Sequence, residues 1–335
     1  MTISVIVPHR NGRSLLERCL LAIEQQNASV PFEIIVVADG STDDSLAFVQ
    51  ERYPHIRTIA SSANIGFAAA CNLGARHAQG VFLAFLNNDA RPYPSWLARL
   101  HRTFDGPDTV GLATSMILHV DGTIDSAGDG YLRCGGAFKH RHGEDVVLDE
   151  VMSSEAFGAC GAAFMIRRSL FEALGGFDED FFMVYEDVDL SYRARLLGAS
   201  CVVVPGAVVE HVGGASLANL SSTAVFLGQR NLEWTYFKNT PSALLVRTLP
   251  AHLLYTMAAG VGYLMVGHGR TYIRAKLAAV AGLTRVWAKR RDLQRLRRIE
   301  PAVLASHMES GWVRRKLREK RFDWKRAAAR SRLNE

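Results

Sequence analysis

Short β-branched runs recur through the first 90 residues, and each is followed directly by polar turn residues. Residues 3–7 (ISVIV) lead into Pro8-His9-Arg10-Asn11-Gly12, 33–38 (EIIVVA) into Asp39-Gly40-Ser41-Thr42-Asp43, and 81–86 (VFLAFL) into Asn87-Asn88-Asp89. An apolar, β-branched run bounded by turn residues reads as a buried strand. Residues 56–60 form another such run. Between the runs lie helical patterns at 14–26, 44–52 and 66–78, the first with Leu15, Cys19, Ala22 and Ile23 at helical spacing and Ser14 as its expected cap. Strands alternating with helices predict βαβ units and a mostly parallel α/β sheet. Open sheets of that kind bind ligands outside the carboxyl ends of their strands, where this chain concentrates its acids, amides and imidazoles.

After Asn87 the rhythm changes. A helix is expected at 95–104 behind Ser95 and a strand at 110–115. Residues 119–150, rich in Gly, Asp and His, read as an excursion of hairpins and loop beside the site. Residues 162–166 return to the sheet, and 186–197 form a helix that ends at Gly198 as its left-handed residue. A last strand at 200–204 and a short run at 207–210 precede His211. From about 221 onward the pattern is helical throughout, dividing the chain into an α/β domain at 1–220 and a helical region at 221–335.

Several of the strand-end residues suit a diphosphate and a divalent cation. Mg²⁺ or Mn²⁺ takes one or two carboxylates alongside phosphate oxygens and waters. Asp89 is the leading candidate ligand, His211 can add a neutral imidazole nitrogen, and Asn87 a weak ligand or hydrogen bond. Asp39 can accept the N3–H of a uracil or thymine ring, although its DGSTD segment also reads as a plain turn and helix cap. Asn64 and Asn72 bracket the start of the helix at 66–78. Gly66 can admit close backbone approach of a nucleotide, while Asn64 can equally serve as a cap. Asp187 shares a helical face with Leu190, Ala194 and Leu197, so it projects from the buried side towards the cleft. Partial burial raises a carboxyl pKa and suits a general base. Asp189 is placed to pair with Arg193 one turn on, and it and Glu186 support the helix start or the acceptor. His140, Arg141 and His142 read as a solvated loop that could meet an anionic acceptor.

The net charge of +6 is uneven. Residues 285–332 hold 17 Lys and Arg against 5 Asp and Glu, a basic tail behind an acidic body. Nucleic acid and an anionic membrane surface both fit such a tail. The body lacks a nucleic-acid-binding signature, so the membrane is expected and nucleic acid is not. Residues 248–269 contain no Asp, Glu, Lys or Arg, although they include Pro250, His252 and His268. The stretch is long enough to span a bilayer. Spanning would place the basic tail opposite the body, against the positive-inside tendency. An interfacial or re-entrant segment fits better, with a buried helix pair as the alternative. Five scattered cysteines, without a CxxC pair, suggest a reduced chain. No charged stretch followed by an apolar run opens the sequence, so no leader is expected.

The ordered strings VIVPHRNG, VVADGSTDDS, NIGFAAACNLG, FLNNDA, GAAFMIRRSLFEALGGFDEDFFMVYEDVDLSYRARLLG and EHVGG, spread over about residues 3–240, resemble the family 2 inverting glycosyltransferases of GT-A fold. Within them the chain looks like the rhamnosyltransferase-type branch that builds bacterial cell-surface polysaccharide. The resemblance implies a Rossmann-like GT-A sheet with a helical C-terminal extension, and a nucleotide-diphosphate sugar donor such as dTDP-rhamnose or a UDP-sugar. It implies a nucleotide pocket bordered by Pro8, Arg10, Asp39 and Asn88, a metal site at Asp89 and His211, and Asp187 as the base. A lipid-linked glycan acceptor, met by a cytoplasmic protein held peripherally on the inner membrane face, completes the expectation. Ala38 stands where many members carry Asp, and Asn87 stands where the stricter metal motif has Asp. These two departures motivate a rival reading, a non-catalytic nucleotide-sugar-binding or scaffold subunit of a polysaccharide assembly complex. Asp187, Asp89 and His211 speak against it, since a binding module needs no base.

Overall fold

The computed structural model describes residues 2–146, 153–213, 221–319 and 322. The first half is built as the alternation requires: β1 (Ile3–His9), α1 (Arg13–Glu24), β2 (Phe32–Asp39), α2 (Ser45–Arg52), β3 (Arg57–Ser61), α3 (Phe67–His77) and β4 (Phe82–Leu86). A short β5 (Ala90–Pro92), α4 (Trp96–Arg102), β6 (Val110–Leu118) and β7 (Ile124–Ala127) follow. Next come the hairpin β8 (Asp129–Tyr131) and β9 (Ala137–Lys139), then β10 (Ser154–Ala156), β11 (Ala163–Arg167), α5 (Arg168–Ala173), α6 (Glu186–Leu196) and β12 (Ser200–His211). Helices α7 (Ser222–Asn239), α8 (Ser242–Met265), α9 (Gly269–Ala281), α10 (Leu283–Leu296) and α11 (Pro301–Ser306) follow, and residues 312–319 are helical as well.

The main sheet runs β10-β12-β6-β11-β4-β1-β2-β3, with β5 on β12 and β7 on β6. β1, β2, β3 and β4 are mutually parallel, and β6 is parallel to β12. β11 is antiparallel to both β4 and β6, so these two point the same way. The carboxyl ends of β1, β2, β4, β6 and β12 therefore share one edge. Alternation along the strands fills both faces. Val5, Val7 and Val36 meet α1 and α4 through Leu16, Leu20, Trp96 and Leu97 on one side. Ile6, Ile35 and Val37 meet α3 and α6 through Ala70, Cys71, Leu190 and Ala194 on the other. All five cysteines are buried thiols.

Some boundaries differ from the sequence expectation. β12 is one strand that reaches His211, because a register shift between Val204 and Val208 absorbs Pro205-Gly206 instead of ending the strand. Ser14 does not cap α1. Gly12, at φ +90°, takes the cap position, and its N–H is held by Asp43 Oδ2 at 2.8 Å. Gly198 does end α6 in the left-handed region, at φ +87°. His142 is not solvated but packs beside Asp125. The last residues of the 119–150 excursion and most of the tail beyond 319 lie outside the described residues, as does the 214–220 stretch at the expected domain boundary.

The helical region is fastened to the sheet body by buried charge. Asp189, fully buried, accepts from Arg193 Nε at 2.7 Å as the spacing predicted. It also accepts from Lys238 Nζ and Asn239 Nδ2 of α7, both at 2.8 Å. Lys238 in turn reaches Asp178, which Lys289 of α10 pairs as well. Burial alone would raise the Asp178 pKa, but the two lysines hold it below the usual carboxylate range. Asp189 is thus a buried bolt between α6 and α7 rather than a solvent-side acid at a helix start. Removing one partner of a buried ion pair costs about 3–5 kcal/mol, so Asp189→Ala should lower stability by roughly that amount in urea unfolding. A loss below about 1 kcal/mol would mean that these charges do not hold α7 in place.

Candidate functional site

The turn after β4 delivers three polar residues to the carboxyl edge. Asn87 N–H donates to Ala162 O at 2.9 Å, which pins the turn to the loop before β11. β5 then runs antiparallel to the end of β12, with Ala90 opposite His211. That register brings His211 Nε2 to 3.1 Å from Asp89 Oδ1 and 3.5 Å from Asn87 Nδ2. Asn87 Oδ1 is buried with no hydrogen-bond partner among the described residues. A carboxylate oxygen, an imidazole nitrogen and an orphaned amide oxygen in one corner match the hard-donor set a divalent cation takes. The residues present therefore fit Mg²⁺ or Mn²⁺.

His211 is set from behind. Its Nδ1 lies 3.6 Å from Asp125 Oδ2, an electrostatic contact rather than a hydrogen bond. Burial alone would lower the imidazole pKa. Asp125 and Asp89 outweigh it and raise the value to about 9, so this corner draws positive charge to Nε2. Asp125 sits on β7 with Lys139 Nζ at 2.6 Å and the rings of His119 and His142 each at 3.5 Å. Burial would raise its pKa, but Lys139 and the histidines hold it well below the carboxylate range. His119, Asp125 and His142 could by themselves hold an ion, yet the Lys139 ammonium already occupies the Asp125 oxygen they share. Asp125 and Lys139 escaped the sequence reading because no spacing links residues 14 apart in a loop-rich excursion.

The second pole is the start of α6. Asp187 Oδ2 accepts from Gly161 N–H at 2.7 Å, and Oδ1 from Val188 N–H, also at 2.7 Å. Burial raises its pKa while these two donors restrain the rise. Gly161 must be glycine here, since a Cβ would stand 2.7 Å from Asp187 Oδ2. Asp129 lies near, held by Ser126 Oγ at 3.0 Å. Its pKa is raised by burial and then by the charge of Asp187. Glu186 is buried, one oxygen without a partner among the described residues, and burial followed by Asp187 favours its neutral form.

The residues expected to border a nucleotide divide into two groups. Asp39, at the end of β2, accepts from Ile65 N–H at 2.6 Å and Gly66 N–H at 3.0 Å, which orients its carboxylate and leaves lone pairs free. Asn64 Oδ1 also receives Gly66 N–H, at 3.2 Å, as a turn cap. Pro8 is buried within β1 and Arg10 is exposed just beyond it. Asn72 differs from expectation: its amide bonds Phe177 N–H and O and the Glu179 carboxylate, so it pins the loop before α6. Gly66 also differs, because the group its missing Cβ admits is the ring of Phe182. Asn88 turns inward, its Nδ2 donating to His9 Nδ1 at 2.9 Å, while His9 Nε2 meets Ser45 Oγ at 2.8 Å. Burial lowers the His9 pKa to about 4 against the pull of Asp43, so the ring is a neutral strut between the β4 and β2 turns. His9 lay in plain view within PHRNG, but only its two partners reveal this role.

Comparison with known proteins agrees with this geometry. The family model "Glycosyl transferase family 2" matches residues 4–175. An O-antigen biosynthesis protein of Myxococcus xanthus is 30% identical over 227 residues, 64% of this chain but only 17% of that protein's length. An N-acetylglucosaminyl-diphospho-decaprenol L-rhamnosyltransferase of Mycobacterium tuberculosis is 27% identical over 251 residues, 65% of this chain and 81% of the relative. Among solved structures, a mannosyltransferase of Pyrobaculum calidifontis in complex with GDP-Man and Mn²⁺ superposes with TM-score 0.54 at 20% identity. It covers 91% of this chain and 85% of that one, a likeness of fold. With the sheet, its carboxyl-edge site and a family match over half its length, this chain belongs to glycosyl transferase family 2 and has the GT-A fold.

Proposed function

We propose that this glycosyltransferase moves a sugar, with inversion, from dTDP-rhamnose or a UDP-sugar to a hydroxyl of a lipid-linked glycan during cell-envelope polysaccharide synthesis. One observation carries the reading: adjacent residues of one loop bind both poles. Ala162 O receives Asn87 of the cation corner, and Gly161 N–H holds Asp187. A donor whose diphosphate lies at Asp89 and His211 then presents its anomeric carbon towards Asp187. Asp89, Asn87 Oδ1 and the Nε2 of neutral His211 would hold a divalent cation, which would supply positive charge beside the departing diphosphate. Asp187 takes the proton of the acceptor hydroxyl as its oxygen bonds to the anomeric carbon. The bond from that carbon to the diphosphate oxygen breaks, and its electron pair leaves with the nucleoside diphosphate. Attack from the face opposite the leaving group inverts the configuration. Asp39 orients towards the pyrimidine ring. The named rhamnosyltransferase relative and its diphospho-decaprenol acceptor support the donor and acceptor classes.

The acceptor's lipid suggests where the protein works. α8 is 24 residues long, and its most apolar 18-residue stretch has a mean hydropathy of 1.2 and is little buried. It exposes Leu253, Leu254, Met257, Val261, Leu264 and Met265, and α9 adds Ile273 and Leu277. Arg247, Arg270 and Arg274 stand exposed on the same helix pair. The opposite side of α8 is fixed to the body: His252 bonds Cys134 O and Glu233, both at 2.8 Å. A helix so anchored lies in the headgroup region of an anionic membrane rather than crossing it.

A positioned base contributes about 10²–10⁴-fold. Asp187→Asn should lower turnover by that factor, read as nucleoside diphosphate released from UDP- or dTDP-sugars, and leave nucleotide affinity unchanged. Unaltered turnover would remove Asp187 from the role of base, whereas no turnover by the parent with any donor would support the scaffold reading. The double variant Leu254→Asp/Leu264→Asp should bind vesicles containing phosphatidylglycerol at least tenfold more weakly, since burying a Leu side chain is worth about 1.5–3 kcal/mol. Equal vesicle binding by variant and parent would remove this helix pair from the membrane contact.

A further inference from the structure

The segment that enters α6 has an unusual backbone. Phe182, Val184 and Tyr185 have φ of +66°, +67° and +76°. Left-handed φ is uncommon outside glycine and is an outlier for a β-branched residue such as Val184. Such conformations persist where surrounding contacts over-determine them, and they cluster at functional sites. Here the contacts come from the helical extension. Asn231 of α7, fully buried, donates through Nδ2 to Phe181 O and Met183 O at 3.0 Å and to Val184 O at 2.7 Å. Its Oδ1 accepts from Arg230 Nε at 2.9 Å, which fixes which end of the amide faces the loop. Arg230 Nη2 adds bonds to Asp180 O and Phe181 O at 3.0 and 3.1 Å.

The loop touches both sides of the cleft. Phe182 O accepts from Ala68 N–H at 3.1 Å and its ring fills the space above Gly66, next to the turn that Asp39 holds. Four residues after Phe182, Glu186 opens α6, with Asp187 next. The Phe182 half is therefore secured by α3 as well. The Met183–Tyr185 half depends on Asn231, with Tyr185 Oη accepting from Ala137 N–H at 3.2 Å.

We infer that Asn231 is a positioning residue for the transfer reaction: by holding Met183 and Val184 it sets where Asp187 stands, so α7 of the helical extension is part of the catalytic unit. The inference rests on the proposed role of Asp187 as base. It links the membrane-facing helices to the base through one side chain, because α7 is bonded to α9 through Trp234 Nε1 and Ala279 O at 3.1 Å and to α10 through Arg290 and Phe237 O at 2.8 Å.

Asn231→Asp keeps the shape of the side chain and removes the donors. In the full chain it should raise amide hydrogen exchange of residues 183–188 at least tenfold while β1 and β4 keep their protection. Turnover should fall about 10–100-fold, with the affinity for UDP or dTDP in the presence of Mn²⁺ unchanged within twofold. Tyr236→Phe serves as the matched control. It removes the α7–α8 hydrogen bond between Tyr236 Oη and Thr248 Oγ1 at 2.8 Å and keeps the bonds of Asn231 to the loop, and should lower the melting temperature while leaving turnover within twofold. Unchanged exchange at 183–188 in Asn231→Asp overturns the inference. So does a turnover loss that Tyr236→Phe reproduces at equal stability, since that would mark a purely structural effect. Exchange reads the loop directly, so a failure of Asp187 as base would appear separately, as full turnover in Asp187→Asn with the loop still opened by Asn231→Asp.

Discussion

The site depends on the hydrogen bonds of two adjacent backbone groups, Gly161 N–H and Ala162 O. They join the turn after β4 to the start of α6, one on each side of the cleft. The constraint propagates into the sequence. Gly161 has no room for a Cβ against Asp187, and β11 must run antiparallel between β4 and β6 for its preceding loop to reach the carboxyl edge. Along the run β12-β6-β11-β4-β1-β2-β3, β11 is the reversed strand, and it lies where the two poles meet.

Around this frame, buried charge is graded across the cleft. Lys139 neutralises Asp125, and Asp125 with Asp89 makes His211 strongly basic. With its proton on, His211 suits an anionic diphosphate, and with the proton displaced its Nε2 can hold a divalent cation beside Asp89. At the other end Asp129, Asp187 and Glu186 crowd together and each has a raised pKa. Burial disfavours the carboxylate form, and like charges compound the effect. The same residue class, carboxylate, is therefore an ion-pair partner on one side and a proton acceptor on the other, according to whether a lysine or another acid stands beside it.

Much of this was legible in the sequence, for identifiable reasons. Continuous apolar, β-branched runs and helical faces predicted the strands and helices of the first 90 residues, and polar residues at element ends made Asp89, Asp187 and His211 the candidates. Local pattern could not reveal features that depend on pairing between distant segments. Pro205-Gly206 reads as a break, yet the β6–β12 register absorbs it. Asn72 and Asn88 read as ligands because they lie within the family's strings, but their amides serve the 177–179 loop and His9. Asp125 and Asn231 carry no local signal. Each acquires its role from partners more than 40 residues away, His211 for the first and the loop before α6 for the second.

The central claim is that the two poles receive one metal-assisted nucleotide sugar. It is tested most directly by thermal unfolding of the protein and of Asp89→Ala with UDP, dTDP, GDP and CDP sugars, with and without Mn²⁺. A ligand at a hundred times its dissociation constant adds about 2.7 kcal/mol to stability. The account predicts Mn²⁺-dependent stabilisation of the parent by a uridine or thymidine diphosphate sugar, lost in Asp89→Ala. Stabilisation that is indifferent to Mn²⁺ and to Asp89, or none with any of the four, would contradict it.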